Sequence, residues 1–553
     1  MGTRNFGPRN ACGVVISENR SSGGSIGGPL GGSGGKATLP PVEPSIPVPD
    51  TFFATNSPLL GTNLELLIDY SSNCWATNDV IKCSREWISG NTETGEFDDG
   101  RPLTLDENGW PTSLLEDQCA RTIVLLNTGF PAGHWVLTWE GQGDLAFMTD
   151  GTLISSTANR IVYDIPNNTG GGFFISITST NSQNHLRNLK MKHVNQEFNN
   201  DLWHPSFLAS IAYYGTIRFM DMQATNNNEI GTWNERAKLT SVRWGDKAGI
   251  PVEAMVDLCN KIDARPWFCI PHLADDNYVT QFANIVKTNL KPGLKPYVQY
   301  SNEVWNFQFA QAQYALQKGD ANTARFGADS APTWITWYST QARHIHSIWQ
   351  TVYGGLGGFT RVVGAWTTYY YMTNQMLSFE GNGNHFDALA IAPYFGGNLA
   401  SMYPGDPGAT TATWTTNQLL DAVEDILESS SFTHMDQNKV IADSYGLELI
   451  CYEGGQHIVR VGNVSEQLDN ALDALVISIQ DKPKMGQFYD AMLQAWKERG
   501  GGGVFCHFVH AGRWDMFGSW GARPRITDNI NNYPKAKSLY EFATANLGAV
   551  SNG

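Results

Sequence analysis

Residues 296–306 read PYVQYSNEVWN, a short apolar run that ends in a Ser-Asn-Glu sequence. An apolar run of this length, closed by polar residues, is typical of a buried strand. Seven similar runs occur, so that the full set covers residues 189–194, 216–222, 265–271, 296–303, 360–366, 388–393, 447–453 and 503–509. Helix-like segments lie between them, at 251–262, 279–290, 416–428 and 466–479. Because strands that alternate with helices are parallel, eight such units over about 360 residues predict a (β/α)8 barrel.

A doubly wound sheet is the main alternative for this alternating pattern. It is disfavoured because no glycine-rich phosphate-binding loop follows any of the runs. The glycines at 500–503 precede a strand rather than a helix, so they indicate a turn.

The segments before the predicted barrel have a different composition. Residues 51–184 contain short strand-like runs such as TIVLL and RIVYDI, separated by Asn, Gly, Pro and Asp, and predict an antiparallel β-sandwich. Residues 1–50 are rich in glycine and proline and predict an arm, which either tethers the chain to an assembly partner or is a disordered tail. The predicted order is therefore the arm (1–50), the sandwich (51–184), the barrel (185–546) and a short tail (547–553).

The charge balance limits the partners of the protein. The chain has 553 residues, with 53 Asp and Glu against 37 Lys and Arg, for a net charge of −16. Binding to nucleic acid or to an anionic membrane requires clustered cations, so both partners are disfavoured. No run of 18 apolar residues occurs, which predicts no transmembrane helix, and the N-terminus lacks the pattern of a signal peptide. These features leave the localisation open between the cytoplasm and an extracellular or virion surface.

The eight cysteines show neither a CxxC pair nor the spacing of a zinc site, so no metal and no cofactor is predicted. Buried free thiols are the expected state in a chain of this size. Cys74 with Cys83 or Cys119 is the one grouping in which a disulfide is conceivable, since all three lie in one polar segment.

Two glutamates end strand-like runs of the predicted barrel. Glu303 closes the fourth run and Glu453 closes the seventh. Functional residues of such barrels lie at the carboxyl ends of the strands, and strands four and seven lie roughly opposite each other across the barrel mouth. Hydrolysis of a glycosidic bond requires a pair of carboxyl groups in such a position. The ordinary alternative, a salt-bridged loop residue, is less favoured for two glutamates in the same context because a buried carboxylate is costly unless it is paired or used.

The sequence YSNEVWN at 300–306 resembles the acid/base strand of the clan A glycoside hydrolases, retaining (β/α)8 enzymes that include cellulases and β-mannanases. In that family the acid/base glutamate follows an asparagine at the end of strand four, and the nucleophile glutamate ends strand seven. The resemblance therefore implies Glu303 as the acid/base and Asn302 as a ligand of the neighbouring sugar hydroxyl. It implies Glu453 as the nucleophile.

The resemblance also implies partners for the nucleophile. A supporting arginine near the end of strand two matches Arg218, and an aromatic residue near strand six matches Tyr394. The sequences IRFMDMQATN and SNEVWN further resemble a group of bacterial and phage proteins in which a β-sandwich is joined to such a barrel, over roughly residues 60–545. Retaining enzymes of this kind hold their two carboxyl groups about 5–5.5 Å apart, and we expect that separation here.

Four further residues near strand ends are candidates for contacts with a sugar, namely His272, Trp366, His507 and Trp514. Histidine binds sugar hydroxyls and tryptophan stacks on sugar rings, although both residue types are as often packed in a core. The sequence thus predicts a retaining glycoside hydrolase that cleaves a neutral or mildly charged polysaccharide. The second hypothesis is a non-catalytic, glycan-binding structural protein of a virion or cell surface; a surface-attached depolymerase would combine the two.

Overall fold

The structure is a computed structural model that describes residues 56–547, except 168–169, 246, 404, 407, 462–463 and 516–517. The predicted arm (1–50) and residues 548–553 of the predicted tail lie outside the described residues. In the described part the strands are β1 (Ser57–Asn63), β2 (Ile88–Asn91), β3 (Thr104–Leu105), β4 (Pro111–Ser113), β5 (Gln118–Val124), β6 (Gly133–Glu140), β7 (Gly143–Thr149), β8 (Thr152–Thr157), β9 (Arg160–Ile165), β10 (Phe173–Thr180), β11 (Arg187–His193), β12 (Tyr214–Arg218), β13 (Arg265–Ile270), β14 (Tyr297–Tyr300), β15 (Thr360–Gly364), β16 (Ala388–Ile391), β17 (Tyr394–Phe395), β18 (Glu448–Gln456) and β19 (Phe505–His507).

Eight parallel strands form a closed barrel. They are, in the order in which neighbours pair, β1, β12, β13, β14, β15, β16, β18 and β19, and β19 pairs with β1 to complete the ring. Because both faces of a parallel sheet are covered, such strands are apolar along their length, as in β13, where residues 266–270 are all buried. The predicted (β/α)8 barrel is confirmed.

The first barrel strand differs from the prediction. The run at 189–194, expected to be that strand, lies largely in β11, which pairs antiparallel with β6, so this assignment is wrong. β1 takes the first position instead, between β12 and β19. Burial alternates along much of β11, as in a strand with one solvated face, whereas residues 60–63 of β1 are buried without interruption. The antiparallel sheets are thus inserted between the first and second barrel strands, and the boundary predicted at 184/185 does not separate the two parts.

The inserted segment contains two four-stranded antiparallel sheets, with the strand orders β2-β5-β10-β7 and β11-β6-β9-β8. Aromatic rings join the two sheets: Tyr163 on β9 contacts Phe147 on β7 and Phe173 on β10, with ring centroids 5.8 and 5.1 Å apart. The two sheets therefore pack face to face as a β-sandwich, the arrangement that the sequence predicts.

Helices connect the barrel strands. The described helices are α1 (Pro205–Ile211), α2 (Val252–Ile262), α3 (Asp276–Asn289), α4 (Ala310–Asp320), α5 (Thr323–Phe326), α6 (Thr333–Tyr353), α7 (Tyr370–Ser378), α8 (Thr416–Ile426), α9 (Phe432–Ser444), α10 (Glu466–Ser478), α11 (Pro483–Arg499) and α12 (Pro534–Ala545). The four predicted helical segments correspond to α2, α3, α8 and α10. Asp275 caps α3 by accepting a hydrogen bond from the Tyr278 amide at 2.6 Å, which fixes where that helix begins.

The seven cysteines of the described residues are all buried and free, so the conceivable bridge between Cys74 and Cys83 or Cys119 is not formed. None of the described helices combines the length and the apolar character that a bilayer span requires.

Candidate active site

The backbone turn after β14 directs Glu303 toward the barrel mouth. β14 ends at Tyr300, and φ is 55° at Ser301 and 38° at Glu303. Non-glycine residues rarely adopt this left-handed conformation, which costs roughly 1–3 kcal/mol unless the surroundings hold it. Glu303 is half-buried and lines a cleft. The turn therefore ends the strand and leaves a carboxylate facing that cleft.

A bulge in β18 brings two consecutive side chains to the same site. Cys451 pairs with Phe505 of β19 and Gly454 pairs with His507, so β18 has one residue more than its partner in this interval. Consecutive side chains of a regular strand point to opposite faces, but a bulge re-aims them. Accordingly, the Tyr452 hydroxyl reaches Glu303, while Glu453 reaches the guanidinium of β12.

Glu453 is held by one cation and one phenol. The Arg218 guanidinium donates a hydrogen bond to its Oε1 at 2.6 Å, and the Tyr394 hydroxyl donates to its Oε2 at 3.0 Å. Burial raises the pKa of Glu453 to about 7; Arg218 opposes this rise, and the charge of Glu303 adds to it. Burial, followed by the two carboxylates, raises the pKa of the Tyr394 and Tyr452 phenols well above the ordinary value, which keeps both hydroxyls available as donors.

Arg218 connects the ends of four barrel strands. It is fully buried and donates to Asn63 at the end of β1 at 3.0 Å, to Asn302 after β14 at 2.7 Å and to Glu453 on β18. Its guanidinium also lies over the Tyr452 ring, 4.9 Å from the centroid. The planar fork of arginine suits such simultaneous contacts, so its side chain fixes the relative positions of these groups.

Glu303 accepts two hydrogen bonds, one on each carboxylate oxygen. The Tyr452 hydroxyl donates to Oε1 at 3.0 Å and the Asn306 amide donates to Oε2 at 3.2 Å. Asn302, directly before it, is held between Arg218 and Asn226, to which its amide donates at 3.1 Å. Both glutamates therefore belong to one connected hydrogen-bond network. The bulged strand β18 contributes two residues to it: Tyr452, which donates to Glu303, and Glu453, which is the second carboxylate.

A cleft of about 840 Å3 opens beside this network. Glu303, Tyr394 and Tyr452 are among its lining residues, together with Trp366 and His457. Trp366 exposes 40% of its surface, although large aromatic side chains are usually buried. A volume in this range accommodates small molecules or several sugar units.

The structure brings six of the nine sequence-predicted site residues together at the network or its cleft: Glu303, Glu453, Asn302, Arg218, Tyr394 and Trp366. The other three do not line this cleft. His272 is buried against the Tyr314 ring, and burial lowers its pKa to about 4. His507 is fully buried and its Nε2 lies 3.0 Å from the Tyr489 hydroxyl on α11. Trp514 donates its indole N–H to the Gly521 carbonyl at 2.9 Å.

Sequence reasoning missed four members of the network, namely Tyr452, Asn63, Asn226 and Asn306. Tyr452 directly precedes Glu453, and regular strand alternation would point it away from the site; only the bulge changes this. Asn63 was missed because β1, which reads SPLLGTN, was not recognised as a barrel strand. In the described part of the chain, no group of three or more His, Cys, Asp or Glu side chains is arranged to hold a metal ion.

No protein-family model matches the chain, and no curated protein matches it. Among solved structures, the chain is similar to a GH51 arabinofuranosidase from Xanthomonas axonopodis pv. citri, with 13% identity, 56% of this chain and 61% of that chain covered, and a TM-score of 0.35. It is also similar to a modular endo-β-1,4-mannanase from Cellulomonas fimi, a family 26 glycoside hydrolase, with 11% identity, 59% and 62% coverage, and a TM-score of 0.31. A GH10 endoxylanase from a sugarcane soil metagenome gives 7% identity, 61% and 90% coverage, and a TM-score of 0.31. The chain thus spans about three fifths of the length of the arabinofuranosidase and of the mannanase.

Proposed function

We propose that the protein is a retaining glycoside hydrolase in which Glu303 is the general acid/base and Glu453 is the nucleophile. The observation that carries this proposal is the network itself. Two carboxylates from the fourth and seventh barrel strands belong to one network beside the cleft, and each has its own set of hydrogen-bond donors. Different surroundings for two neighbouring carboxyl groups are what distinct acid and nucleophile roles require.

In the first step, ionised Glu453 attacks the anomeric carbon while Glu303 gives its proton to the glycosidic oxygen, which leaves as an alcohol. A covalent glycosyl-enzyme forms. In the second step, Glu303, now ionised, takes a proton from a water molecule, whose oxygen attacks the anomeric carbon and releases Glu453. The two inversions restore the original anomeric configuration.

The surroundings of Glu453 favour its role in the first step. The negative charge of Glu303 raises the pKa of Glu453, so a proton on Glu303 makes Glu453 easier to ionise. The reactive state needs that same distribution, with one proton on the acid and none on the nucleophile. Arg218 and Tyr394 stabilise the charge on Glu453, and Asn302 would present its amide to the sugar hydroxyl beside the anomeric carbon. We expect a carboxyl separation of about 5–5.5 Å, as in retaining enzymes.

The lining of the cleft supports a neutral polysaccharide as substrate. None of the described lining residues is a lysine or arginine, which an acidic polysaccharide would be expected to require. Trp366 and Phe307 expose 40% and 42% of their surfaces there, and the Trp366 ring packs against Tyr369 with centroids 4.3 Å apart. Flat aromatic faces of this kind suit stacking on uncharged sugar rings. The substrate class that we propose is therefore a neutral polysaccharide.

Release of reducing sugar from a panel of neutral and uronate-containing polysaccharides tests the proposal. We expect release by the wild type and a loss of several orders of magnitude in Glu303→Gln and in Glu453→Gln. An aryl glycoside with a good leaving group needs little protonation, so Glu303→Gln should retain more activity on it than Glu453→Gln. Release by the wild type that both variants keep would refute the assigned pair. Binding without release by the wild type would favour the non-catalytic glycan-binding alternative.

A further inference from the structure

A second cavity lies beside the inserted sandwich. It has a volume of about 340 Å3 and is lined by residues of β11, of the segment 77–82 and of the segment 239–244. It shares no lining residue with the active-site cleft. Its volume lies within the range of small-molecule pockets. This cavity has no part in the mechanism described above.

Three lysines line this cavity, namely Lys82, Lys190 and Lys192. Lys190 and Lys192 lie two residues apart on β11, so their side chains leave the same face of the strand. Lys82 belongs to a short helical turn at residues 80–83. Two separate segments of the chain therefore direct ammonium groups toward one space, in a protein whose net charge is −16.

Backbone carbonyls hold two of these ammonium groups in place. Lys82 donates to the carbonyls of Leu239 and Ser241 at 3.1 and 2.5 Å, and Lys192 donates to the carbonyl of Asn199 at 2.6 Å. An ammonium group has three N–H donors, so both lysines keep donor capacity after these bonds. Lys190 is exposed and forms no ion pair with any described residue. The ammonium groups of the three lysines are thus partly fixed in place and can still donate hydrogen bonds to a bound ligand.

Two carboxylates, Asp79 and Asp201, also line the cavity, one fewer than the lysines. The Asp79 Oδ1 accepts from the amides of Ile81 at 3.2 Å and Met191 at 3.0 Å. Asp201 pairs with Lys261, a cation from outside the cavity, at 2.8 Å. Burial lowers the pKa of Lys82 and of Lys192; the charge of Asp79 opposes this effect, and the charge of Lys190 adds a smaller lowering. An anion between these groups would relieve the repulsion that Lys190 contributes.

We infer that this cavity binds an oxyanion group, of the carboxylate or sulfate type, on a molecule no larger than a monosaccharide. The three ammonium groups supply the charge that such a group recognises, and charge-assisted hydrogen bonds of this kind are roughly twice as strong as neutral ones. Asn108 and Thr240 add polar groups to the lining, and the buried Trp110 and Trp244 flank it. This polar and aromatic lining suits a small sugar acid as well as a free oxyanion. The inference does not depend on the proposed hydrolase activity.

Calorimetric titration of the full chain tests the inference with two probes, sodium sulfate for a free oxyanion and sodium glucuronate for a sugar acid. Glucose serves as the neutral analogue, and sodium chloride keeps the ionic strength constant. We expect saturable binding of at least one anion, none of glucose, and an affinity reduced about tenfold or more in Lys190→Glu. Lys190 is exposed, so this change should leave the fold intact. Lys318→Glu, which reverses the charge of a lysine outside the cavity, is the matched control.

The two probes also distinguish the source of the oxyanion. Binding of sulfate alone would support a free oxyanion, and tighter binding of glucuronate would support a sugar acid. The double variant Lys190→Gln/Lys192→Gln should weaken binding further than either single change. The inference is overturned if neither anion binds saturably to the wild type, or if Lys190→Glu and Lys318→Glu bind them equally well.

Discussion

The Tyr394 phenol, which donates to the proposed nucleophile Glu453, gives the sharpest test of the site. Replacing Tyr394 with Phe removes one hydroxyl, which donates to Glu453 at 3.0 Å, and keeps the ring. A hydrogen bond to a charged group contributes about 1.5–3 kcal/mol, so we expect kcat/KM to fall about 10- to 150-fold. The same loss destabilises ionised Glu453, whose pKa burial has already raised to about 7. The acid limb of the kcat/KM–pH profile should therefore move to higher pH by about one to two pH units.

The measurement is a pH series of initial rates on the substrate that the polysaccharide panel identifies. Tyr300→Phe is the matched control, because Tyr300 is also buried and its hydroxyl also donates at 3.0 Å, but to the His272 carbonyl. That variant should lose stability without moving the acid limb. An acid limb that stays in place in Tyr394→Phe, or that moves equally in Tyr300→Phe, would refute the idea that the Tyr394 hydroxyl stabilises the charge on Glu453.

Three further outcomes follow from the same network. Tyr452→Phe removes a donor to the Glu303 carboxylate, so kcat/KM on a polysaccharide should fall about tenfold, and it should fall less on an aryl glycoside whose leaving group needs little protonation; equal losses on both substrates would count against a role of Tyr452 in positioning the proposed acid. Trp366→Ala should raise KM for a polysaccharide roughly fivefold, from about 1 kcal/mol of stacking, and leave kcat on a short aryl glycoside unchanged; an equal effect on both substrates would contradict a stacking role. Proton NMR of the first product formed should show retention of the anomeric configuration, and inversion would exclude a covalent intermediate on Glu453.

The strand ends that carry Glu303 and Glu453 could be predicted because two simple patterns coincide there. The runs at 296–303 and 447–453 are mainly apolar and end in a glutamate, and the barrel geometry fixes where such ends lie. The contact between Arg218 and Glu453 was implied by the resemblance to the clan A glycoside hydrolases, and the structure places the two side chains 2.6 Å apart. The inferences about the two glutamates needed only the position of each residue on its own strand.

The remaining contacts depend on features that periodicity does not encode. The bulge that turns Tyr452 toward Glu303 arises from a difference in length between β18 and β19, which single-strand patterns do not reveal. The strand-end histidines have the same sequence context as functional residues, yet His507 packs against Tyr489 on a helix outside the barrel wall. The first barrel strand was missed because an insertion of about 150 residues separates β1 from β12 in the sequence.

The position of β1 has a practical consequence for anyone who divides this protein. A chain that begins at residue 185 would keep seven of the eight barrel strands and leave a gap between β12 and β19. The unpaired edges on either side of that gap would offer free backbone groups to other molecules, which is a common route to aggregation. The complementary fragment, residues 51–184, would contain β1 without the barrel strands that pair with it. A deletion that respects the topology therefore has to remove the inserted sandwich and join the chain after β1 to the chain before β12. Truncation from the N-terminus would instead remove a barrel strand.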